Sequence, residues 1–470
     1  MKKILISYIW SISNIGDMAI TPGLLALLKK YFPKNPLAAL SMFPAGAEGY
    51  KVTANFFHKS YPDLEVSANP YLPASADFDP SNPLQPNVEI AAVKILSEAY
   101  GPDIMREYEL GIISETQAEE INDFIINKLT AALIPVLEKE NPSYIKTLKE
   151  TALIIYNSGT VLNFGRGEPF AEDKIQDIPG CRVFWRIAFI RMLPLITADY
   201  FDIPFAVPAH SYDALDYPVN ILIHKLLSKA VLIGTRDPDS RLNLEKCGLD
   251  IKKIKFRPDS TFFYPLRDRD GAEAFCRKHS LENKNFLCLI IRTSIQGYIN
   301  VQREQYHMLV MRYFIELWTA KTGIKILLCP EVRREIKPMK ELIFNRLSES
   351  ARDKCVYMDN FWTTELAVSV YEKARIVVSM DMHSVILALS VGTPVLLPVF
   401  PEAGIKAAML RSLGLEDWLF NIDHLSPREL FTAAENINNN FCYAEKMVKK
   451  AMDVINKLAD NTMKILKKYV

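Results

Sequence analysis

Short apolar runs alternate with longer amphipathic segments along most of the chain. Runs such as KILISYI, TALIIY, AVLIGT and RIVVS are rich in β-branched residues. Such runs are typical of strands that are buried on both faces of a parallel sheet. Most of them are followed by a segment in which apolar residues recur at helical spacing. This alternation predicts an α/β protein with doubly wound parallel sheets.

The alternation occurs in two sets, which predicts two Rossmann-like domains facing a cleft. We place the first domain at residues 1–275 and the second at 276–442, with the change in the charged stretch 267–284. The strands predicted for the two domains are 3–10, 151–160, 203–210, 230–237, 285–294, 324–331, 355–361, 375–381 and 395–400. The main predicted helices are 19–32, 182–201, 217–230, 238–249, 303–323, 337–354 and 363–374.

Three segments depart from this pattern. Residues 33–90 are rich in Pro, Asn, Ser and Ala and predict an irregular excursion, while 91–150 predict a helical insertion. Residues 443–470 predict an amphipathic helix that packs at the domain junction and exposes a basic face. Docking of that face on a membrane surface is the alternative.

Composition narrows the function classes. The chain has 470 residues, 49% hydrophobic and 24% charged, with a net charge of +1. No overall field draws it to nucleic acid, so an anionic ligand must be held by local Arg or Lys. The seven cysteines lack CxxC or Cys/His spacing, which argues against a zinc site and a disulfide framework and fits a reducing compartment. The start MKKILISYIW reads as a strand, and no run is long enough to span a bilayer.

Polar residues follow several predicted strands, where ligands bind in open α/β sheets. Asn14 to Asp17 follow the first strand and open a helix, and Ser158-Gly159 follow TALIIY. Gly16 allows close backbone approach, whereas Asp17 can instead cap the helix. The Ser158-Gly159 loop could line the same cleft, but as a bare motif it is more typical of an ordinary turn.

Cations also stand at strand ends. Arg236 ends AVLIGT, Arg292 ends LCLII, and Lys406 follows VLLPVF. An Arg in such a place suits a carboxylate or phosphate, and a surface ion pair is the alternative.

The stretch from Ser379 to Pro394 carries the strongest signal of chemistry. A buried strand runs into Asp381, His383 and Ser384, and an apolar helix follows. Histidine exchanges protons near neutral pH, so His383 is the candidate proton-transfer group. A core or capping histidine is the alternative. His210, which ends another strand, is the second choice.

The order of these motifs resembles the polysaccharide pyruvyl transferase family. The resemblance runs from NIGD to the LGL at 413–415 and is poorest over 33–150. Where the family has R-L-H, this chain has Asp381-Met382-His383. The remaining matching positions are Ser158, Gly159, Arg236, Asp237, Ser240, Leu244, Gly248, Pro258, Asp259, Phe262, Arg292, Gly392, Pro394 and Lys406.

The resemblance implies a fold similar to the GT-B glycosyltransferases and transfer of a pyruvyl group from phosphoenolpyruvate to two hydroxyls of a sugar, giving a ketal. It implies His383 as the catalytic residue, with no metal and no further cofactor. The implied donor-binding residues are Arg236, Arg292, Lys406, Asp381 and Ser384. The implied acceptor-binding residues are Asn14, Asp17, Ser158, Gly159 and His210.

Asp381 leaves the donor open. A carboxylate in place of a cation would repel the phosphate. For one close pair of charges at an intermediate dielectric, this repulsion is roughly a few kcal/mol. Either Asp381 points away and caps the helix, or the donor is a nucleotide sugar, with Glu402 accepting from its ribose. An inactive glycan-binding homologue is a third reading. We expect a cytoplasmic protein, peripheral to the inner face of the membrane where its acceptor is lipid-linked. Self-association stays open.

Overall fold

A computed structural model of the chain describes residues 2–9, 14–71, 115–162, 183–213, 215, 219–293, 299–403 and 405–470. These residues form two compact units. The first comprises the described residues up to Ile9, then Leu28–Arg257 and Asn461–Val470, and the second those from Asn14 to Leu27, then Pro258–Asp460. The sequence-based division at 275/276 into an acceptor side and a donor side stays a prediction.

The first unit contains a seven-stranded sheet in the order β3-β2-β1-β4-β5-β6-β7, and its neighbouring strands are parallel. The order departs from the chain order between β1 and β4, which is the switch point of a doubly wound sheet. Its strands are β1 (Lys3–Ile9), β2 (Leu37–Ser41), β3 (Glu65–Ser67), β4 (Thr151–Tyr156), β5 (Phe205–His210), β6 (Leu232–Thr235) and β7 (Ile254–Phe256).

The second unit contains a six-stranded parallel sheet in the order β10-β9-β8-β11-β12-β13. Its switch point lies between β8 and β11, so the two sheets repeat one topology. The strands are β8 (Phe286–Ile290), β9 (Lys325–Leu328), β10 (Cys355–Tyr357), β11 (Ile376–Ser379), β12 (Val395–Val399) and β13 (Leu419–Asn421). The central strands β8 and β11 are buried along their whole length, as their apolar sequences predict.

Helices connect the strands. In the first half of the chain they are α1 (Asp17–Tyr31), α2 (Glu48–Ser60), α3 (Glu115–Glu140), α4 (Pro142–Lys149), α5 (Val183–Tyr200), α6 (Val219–Ser228) and α7 (Pro238–Lys246). In the second half they are α8 (Arg269–Lys278), α9 (Val301–Thr322), α10 (Ile336–Leu342), α11 (Glu349–Arg352), α12 (Thr364–Lys373), α13 (Met382–Ser390), α14 (Met409–Ser412), α15 (Pro427–Asn439) and α16 (Phe441–Leu466). The prediction of two Rossmann-like domains with a helical insertion is confirmed.

Several local predictions were wrong. The segment read as an irregular excursion forms β2, α2 and β3, because the short run LAAL is buried although it lacks β-branched residues. The charged stretch 267–284 contains α8, with Asp268 capping its first turn, and the domain boundary proposed there stays a prediction. Residues predicted as one helix over 337–354 form α10, a short 3₁₀ turn and α11. Of the insertion predicted at 91–150, residues 91–114 lie outside the described part of the chain.

Candidate active site

The loop from Asn14 to Asp17 is shaped by its own side chain and leads into α1. Oδ1 of Asn14 accepts hydrogen bonds from the backbone N–H of Gly16 at 2.7 Å and of Asp17 at 3.3 Å. An Asn side chain that binds the following backbone in this way stabilises a turn and a helix start. Asn14 therefore has a local structural role, and Asp17 opens the helix.

This loop packs within the second unit, beside His383. The N–H of Ile15 donates to the carbonyl of Glu331 at 3.1 Å, and the carbonyl of Ile15 accepts from Oγ1 of Thr364 at 3.0 Å. A Cβ added to Gly16 would lie 2.1–2.2 Å from Cβ, Cγ and Nδ1 of His383. Only glycine allows this approach, so Gly16 and the imidazole are fitted to each other.

An ion pair spans the switch point of the second sheet. Arg292 follows β8 and Asp381 follows β11, and Nη1 of Arg292 donates to Oδ1 of Asp381 at 2.7 Å. Asp381 precedes α13, but its side chain makes no capping hydrogen bond, so that expectation was wrong. Among the described residues, its Oδ2 has no hydrogen-bond partner. Burial raises the pKa of Asp381, and Glu331 adds to this effect while Arg292 opposes it.

His383 lies in the first turn of α13 and is 5% exposed. Its Nδ1 is 3.5 Å from Oε1 of Glu331, an ion-pair distance rather than a well-formed hydrogen bond. Neither ring nitrogen has a hydrogen-bond partner within the part of the chain that is described. A buried imidazole of this kind is available to a ligand.

Glu331 lies against the first turn of α13, where it contacts both His383 and Ser384. It was not among the residues predicted from the sequence. Its Oε2 accepts from the N–H of Ser384 at 2.7 Å and from Oγ of Ser384 at 2.6 Å. Burial favours the neutral acid, but His383, Ser384 and Lys406 together hold the pKa of Glu331 below its usual value. Glu331 is therefore a buried anion at neutral pH.

Ser384 is largely committed to this arrangement. Besides donating to Glu331, its hydroxyl accepts from the hydroxyl of Tyr371 at 3.1 Å. Its observed contacts are those of a residue that holds Glu331 in place. A contact between Ser384 and the donor stays a prediction.

Glu335 is a second buried carboxyl group, and it was not among the residues predicted from the sequence. It lies in the short 3₁₀ turn Arg333–Glu335, and its Oε2 accepts from the N–H and Oγ1 of Thr293 at 3.1 and 2.6 Å. Burial raises the pKa of Glu335 to about 7, with Asp381 adding to the effect and Thr293 opposing it. Near neutral pH this group can hold or release a proton.

Lys406 lies in the 3₁₀ turn Ile405–Ala408, after β12. Its positive charge lowers the pKa of both Glu331 and Asp381, so its ammonium group lies in their neighbourhood. Lys406 therefore belongs to the same neighbourhood as the two carboxyl groups, and its predicted contact with the donor stays a prediction.

In the first unit, the Arg-Asp-x-x-Ser motif forms a buried network. Asp237 caps α7: Oδ1 accepts from the N–H of Ser240 at 2.7 Å, and Oδ2 accepts from the hydroxyls of Ser240 and Ser211 at 2.8 and 2.6 Å. Nε of Arg236 donates to Oγ of Ser211 at 2.8 Å. Arg236 is 2% exposed, so the alternative of a surface ion pair is wrong for this residue.

The other residues predicted to contact the acceptor also belong to the first unit. Nε2 of the buried His210 accepts from the N–H of Leu162 at 2.9 Å, and the carbonyl of Gly159 accepts from the N–H of Ser211 at 2.9 Å. The N–H of Ser158 donates to Oδ1 of Asn157 at 3.1 Å. These bonds hold the loop after β4 against the end of β5.

The structure therefore divides the predicted site residues. It collects Asn14, Asp17, Arg292, Asp381, His383, Ser384 and Lys406 in the second unit, and Ser158, Gly159, His210 and Arg236 in the first. The signal for Glu331 was present in the sequence, since a Glu ends the predicted strand IKILLCPE as Arg292 ends its neighbour. Glu335 carried no such signal, because it lies beyond the strand in a turn.

Chemically, the second-unit site combines cations that can bind an anion with groups that can move a proton. Arg292 and Lys406 supply the positive charge, His383 is a side chain that can give or take a proton, and Glu335 can exchange one near neutral pH. Within the described ranges, no three His, Cys, Asp or Glu side chains are grouped so as to hold a metal ion. No described helix is long and apolar enough to cross a bilayer.

Solved structures share the fold. Anabaena HepE in complex with UDP has a TM-score of 0.52 at 11% identity, with coverage of 100% of this chain and 99% of that chain. UDP-GlcNAc 2-epimerase from Neisseria meningitidis, bound to UDP-GlcNAc, has a TM-score of 0.50 at 12% identity, with coverage of 99% and 100%. At these identities the similarity establishes the GT-B-like fold alone.

Family membership rests on the sequence comparison. No curated protein matches the chain. The family model described as polysaccharide pyruvyl transferase matches residues 14–397, a range that begins at Asn14 and contains Arg292 and His383. This match covers most of the chain and includes the residues of the second-unit site except Lys406, which lies after its end. The chain is therefore a member of the polysaccharide pyruvyl transferase family, a family of enzymes.

Proposed function

We propose that this protein transfers a pyruvyl group from phosphoenolpyruvate to two hydroxyls of a sugar in a cell-surface polysaccharide or its precursor. The observation that carries the proposal is the position of His383. His383 lies between the NIGD loop and the buried Glu331. It follows β11, which pairs with β8, the strand that Arg292 follows. Family membership supplies the reaction class.

The donor would be held by Arg292 and Lys406. Phosphoenolpyruvate carries a phosphate and a carboxylate, and cations placed where charge develops stabilise its departing phosphate. An anion on Arg292 has to compete with the carboxylate of Asp381, which is paired with Nη1 at 2.7 Å. The raised pKa of Asp381 favours its protonation, which would remove the repulsion.

His383 would move the protons of the reaction. One sugar hydroxyl bonds to C2 of the enol and its proton is passed on, while C3 gains a proton to become the methyl group. The bond from C2 to the phosphate oxygen then breaks, and the second hydroxyl bonds to C2 and gives up its proton. Overall, the two hydroxyl protons go to C3 and to phosphate. A histidine near neutral pH is suited to these transfers.

The acceptor side is also a proposal. Asp17 lies next to Gly16, whose backbone meets the His383 ring, so its carboxylate is the first candidate for a sugar hydroxyl. Asn14 and His210 are engaged in internal hydrogen bonds and would act by holding their loops. Ser158 and Gly159 would take part through the loop after β4. A lipid-linked acceptor would bring the protein to the inner face of the membrane.

A nucleotide-sugar donor is the second candidate. The Arg292–Asp381 pair favours it, because that cation is already neutralised. The Anabaena HepE structure with UDP-glucose shows that such a ligand occurs on this fold. However, Glu402, the expected partner of a ribose, forms a bidentate pair with Arg303. The third reading is a homologue that binds glycan without turnover.

Ligand-dependent thermal stabilisation separates these readings. A ligand present at a hundredfold excess over its Kd stabilises the folded state by about 2.7 kcal/mol. We expect phosphoenolpyruvate to raise the Tm of the wild type and to lose this effect in Arg292→Ala. Arg269→Ala, which removes an exposed arginine of the same unit, is the control and should respond as the wild type does.

Product analysis completes the test. Phosphoenolpyruvate with a suitable oligosaccharide should release inorganic phosphate and give a pyruvylated sugar by mass spectrometry. Stabilisation by UDP and not by phosphoenolpyruvate would overturn the proposed donor. Stabilisation by oligosaccharide alone, without turnover, would favour the glycan-binding reading.

A further inference from the structure

The two edges of the His383 ring are in different surroundings. The backbone of Gly16 lies against Cβ, Cγ and Nδ1, and Oε1 of Glu331 lies 3.5 Å from Nδ1. Nε2 is on the opposite side of the five-membered ring. Among the described residues, neither nitrogen has a hydrogen-bond partner, and Nδ1 differs from Nε2 in having the Glu331 carboxylate at ion-pair distance. The ring is therefore held along its Nδ1 edge.

Glu331 is itself fixed by the start of α13. Its Oε2 accepts from the N–H and the hydroxyl of Ser384. A backbone N–H can only donate, so the atom at the Oε2 position must be an acceptor. The carboxylate cannot turn without losing both bonds, and its second oxygen stays aimed at Nδ1. At 1% exposure, water does not compete for it.

We propose that Glu331 is a positioning residue that keeps the proton of neutral His383 on Nδ1 and leaves Nε2 as the atom that exchanges protons with the substrate. An anion next to Nδ1 favours the tautomer whose N–H points to it. The inference rests on the proposed function in one respect, the use of His383 in proton transfer. The tautomer itself can be measured without substrate.

The substitution Glu331→Gln is expected to reverse the tautomer of His383. Gln has one oxygen and one NH₂ group, and the oxygen must take the Oε2 position because the N–H of Ser384 requires an acceptor there. The NH₂ group then faces Nδ1 and donates to it. The proton of His383 is forced to Nε2, so the exchanging atom becomes a donor and can no longer act as a base.

The test is ¹⁵N NMR of the histidine-labelled full-length protein at about pH 8, where an ordinary histidine is neutral. The His383 signals are assigned by their loss in His383→Asn. We expect a protonated Nδ1 in the wild type and a protonated Nε2 in Glu331→Gln. Glu335→Gln is the matched control, since the same exchange is made at a buried carboxyl that binds Thr293, and it should keep the wild-type tautomer.

Turnover is measured on the same variants. A wrong tautomer lowers kcat by up to about 10⁴-fold in hydrolases with a carboxylate–histidine pair, and we expect a loss of at least about 10³-fold in Glu331→Gln. An unchanged tautomer in Glu331→Gln would overturn the inference, whatever the turnover. A reversed tautomer with full turnover would also overturn it. If the wild type shows the expected tautomer, reversed in Glu331→Gln, but transfers no pyruvyl group, the proposed function fails while the role of Glu331 in the tautomer stands.

Discussion

The carboxyl ends of the strands in the two sheets have the same topology but different chemistry. At the end of β6, Asp237 binds both Ser211 and Ser240, and Arg236 binds Ser211, so the motif holds a helix and a loop together. At the end of β11, Asp381 uses one oxygen for Arg292 and leaves the other without a described partner. His383 leaves both ring nitrogens unpaired within the described residues.

A charged residue after a buried strand can therefore have either of two roles, structural or ligand-binding. Both regions gave the same signal in the sequence, a strand ending in Arg or Asp. In the first, the hydrogen-bonding capacity of Asp237 is consumed by neighbouring groups, which is the pattern of a structural motif. In the second, a buried carboxylate oxygen of Asp381 and both ring nitrogens of His383 have no partner among the described residues, which indicates a place where a ligand completes the bonding.

The largest expected effect is on turnover, at His383. His383→Asn should lower pyruvyl transfer by about 10³-fold or more, because general acid–base catalysis contributes about 10²–10⁴-fold. Stability should change little, since the ring has no described hydrogen bond to lose. Phosphate release and a thermal melt measure both quantities. His424→Asn, at an exposed position, is the control. Equal turnover in the two variants would show that His383 is not the catalytic residue.

The second effect is on stability, at Asp237. Asp237→Ala removes the cap of α7 and leaves three donors of Ser211 and Ser240 without their acceptor. Hydrogen bonds to a buried charge are worth about 1.5–3 kcal/mol each, and we expect a loss of about 4 kcal/mol. Urea unfolding measures it against Asp239→Ala, which removes a carboxylate from the same helical turn. A loss below about 1 kcal/mol would contradict the structural reading of the first unit.

The third effect is a pH dependence, at Glu335. Its pKa is raised to about 7 from 4.5, so between these values the folded protein holds a proton that the unfolded chain has lost. The contribution of Glu335 to the free energy of unfolding is therefore largest below about pH 4.5, and it is lost as the pH rises towards 7. Glu335→Gln, which stays neutral, should remove this fall, which amounts to at most about 3 kcal/mol. Unfolding at about pH 5 and pH 8 tests it, with the exposed Glu341→Gln as control, and an unchanged slope would refute the raised pKa.

The smallest of these effects concerns the fit of the NIGD loop. In Gly16→Ala, the new Cβ would collide with His383 and displace the imidazole. Misplacing a catalytic group by about 1 Å can cost about 10²-fold in rate, and we expect a loss of that size in kcat. Gly323→Ala is the control, because its φ of +69° costs stability while nothing lies within 4 Å of the added carbon. Similar kcat values in the two variants would show that the fit is not required.

Much of the fold was predictable from the chain. Buried strands such as RIVVS and TALIIY are read from apolar runs, and α13 follows from the apolar positions between Asp381 and Gly392. β2 and β3 were missed because Ala-rich and very short strands carry little local signal. The candidate site was predictable in part: the shared sheet edge gave Arg292, His383 and Lys406, whereas Glu335 lies in a turn that no periodicity marks.

The alternation of strands and helices, the polar residues at strand ends and the family can all be read from the chain, because they depend on local spacing and on the order of motifs. Which of those residues meet follows from the folded structure alone. Ile15 binds Thr364 across 349 residues of chain, and this contact brings Gly16 to His383. It also decided that Asp381 pairs with Arg292 while Asp237 caps a helix. Such outcomes depend on burial and on competition for hydrogen bonds between distant segments, and neither is encoded in local spacing.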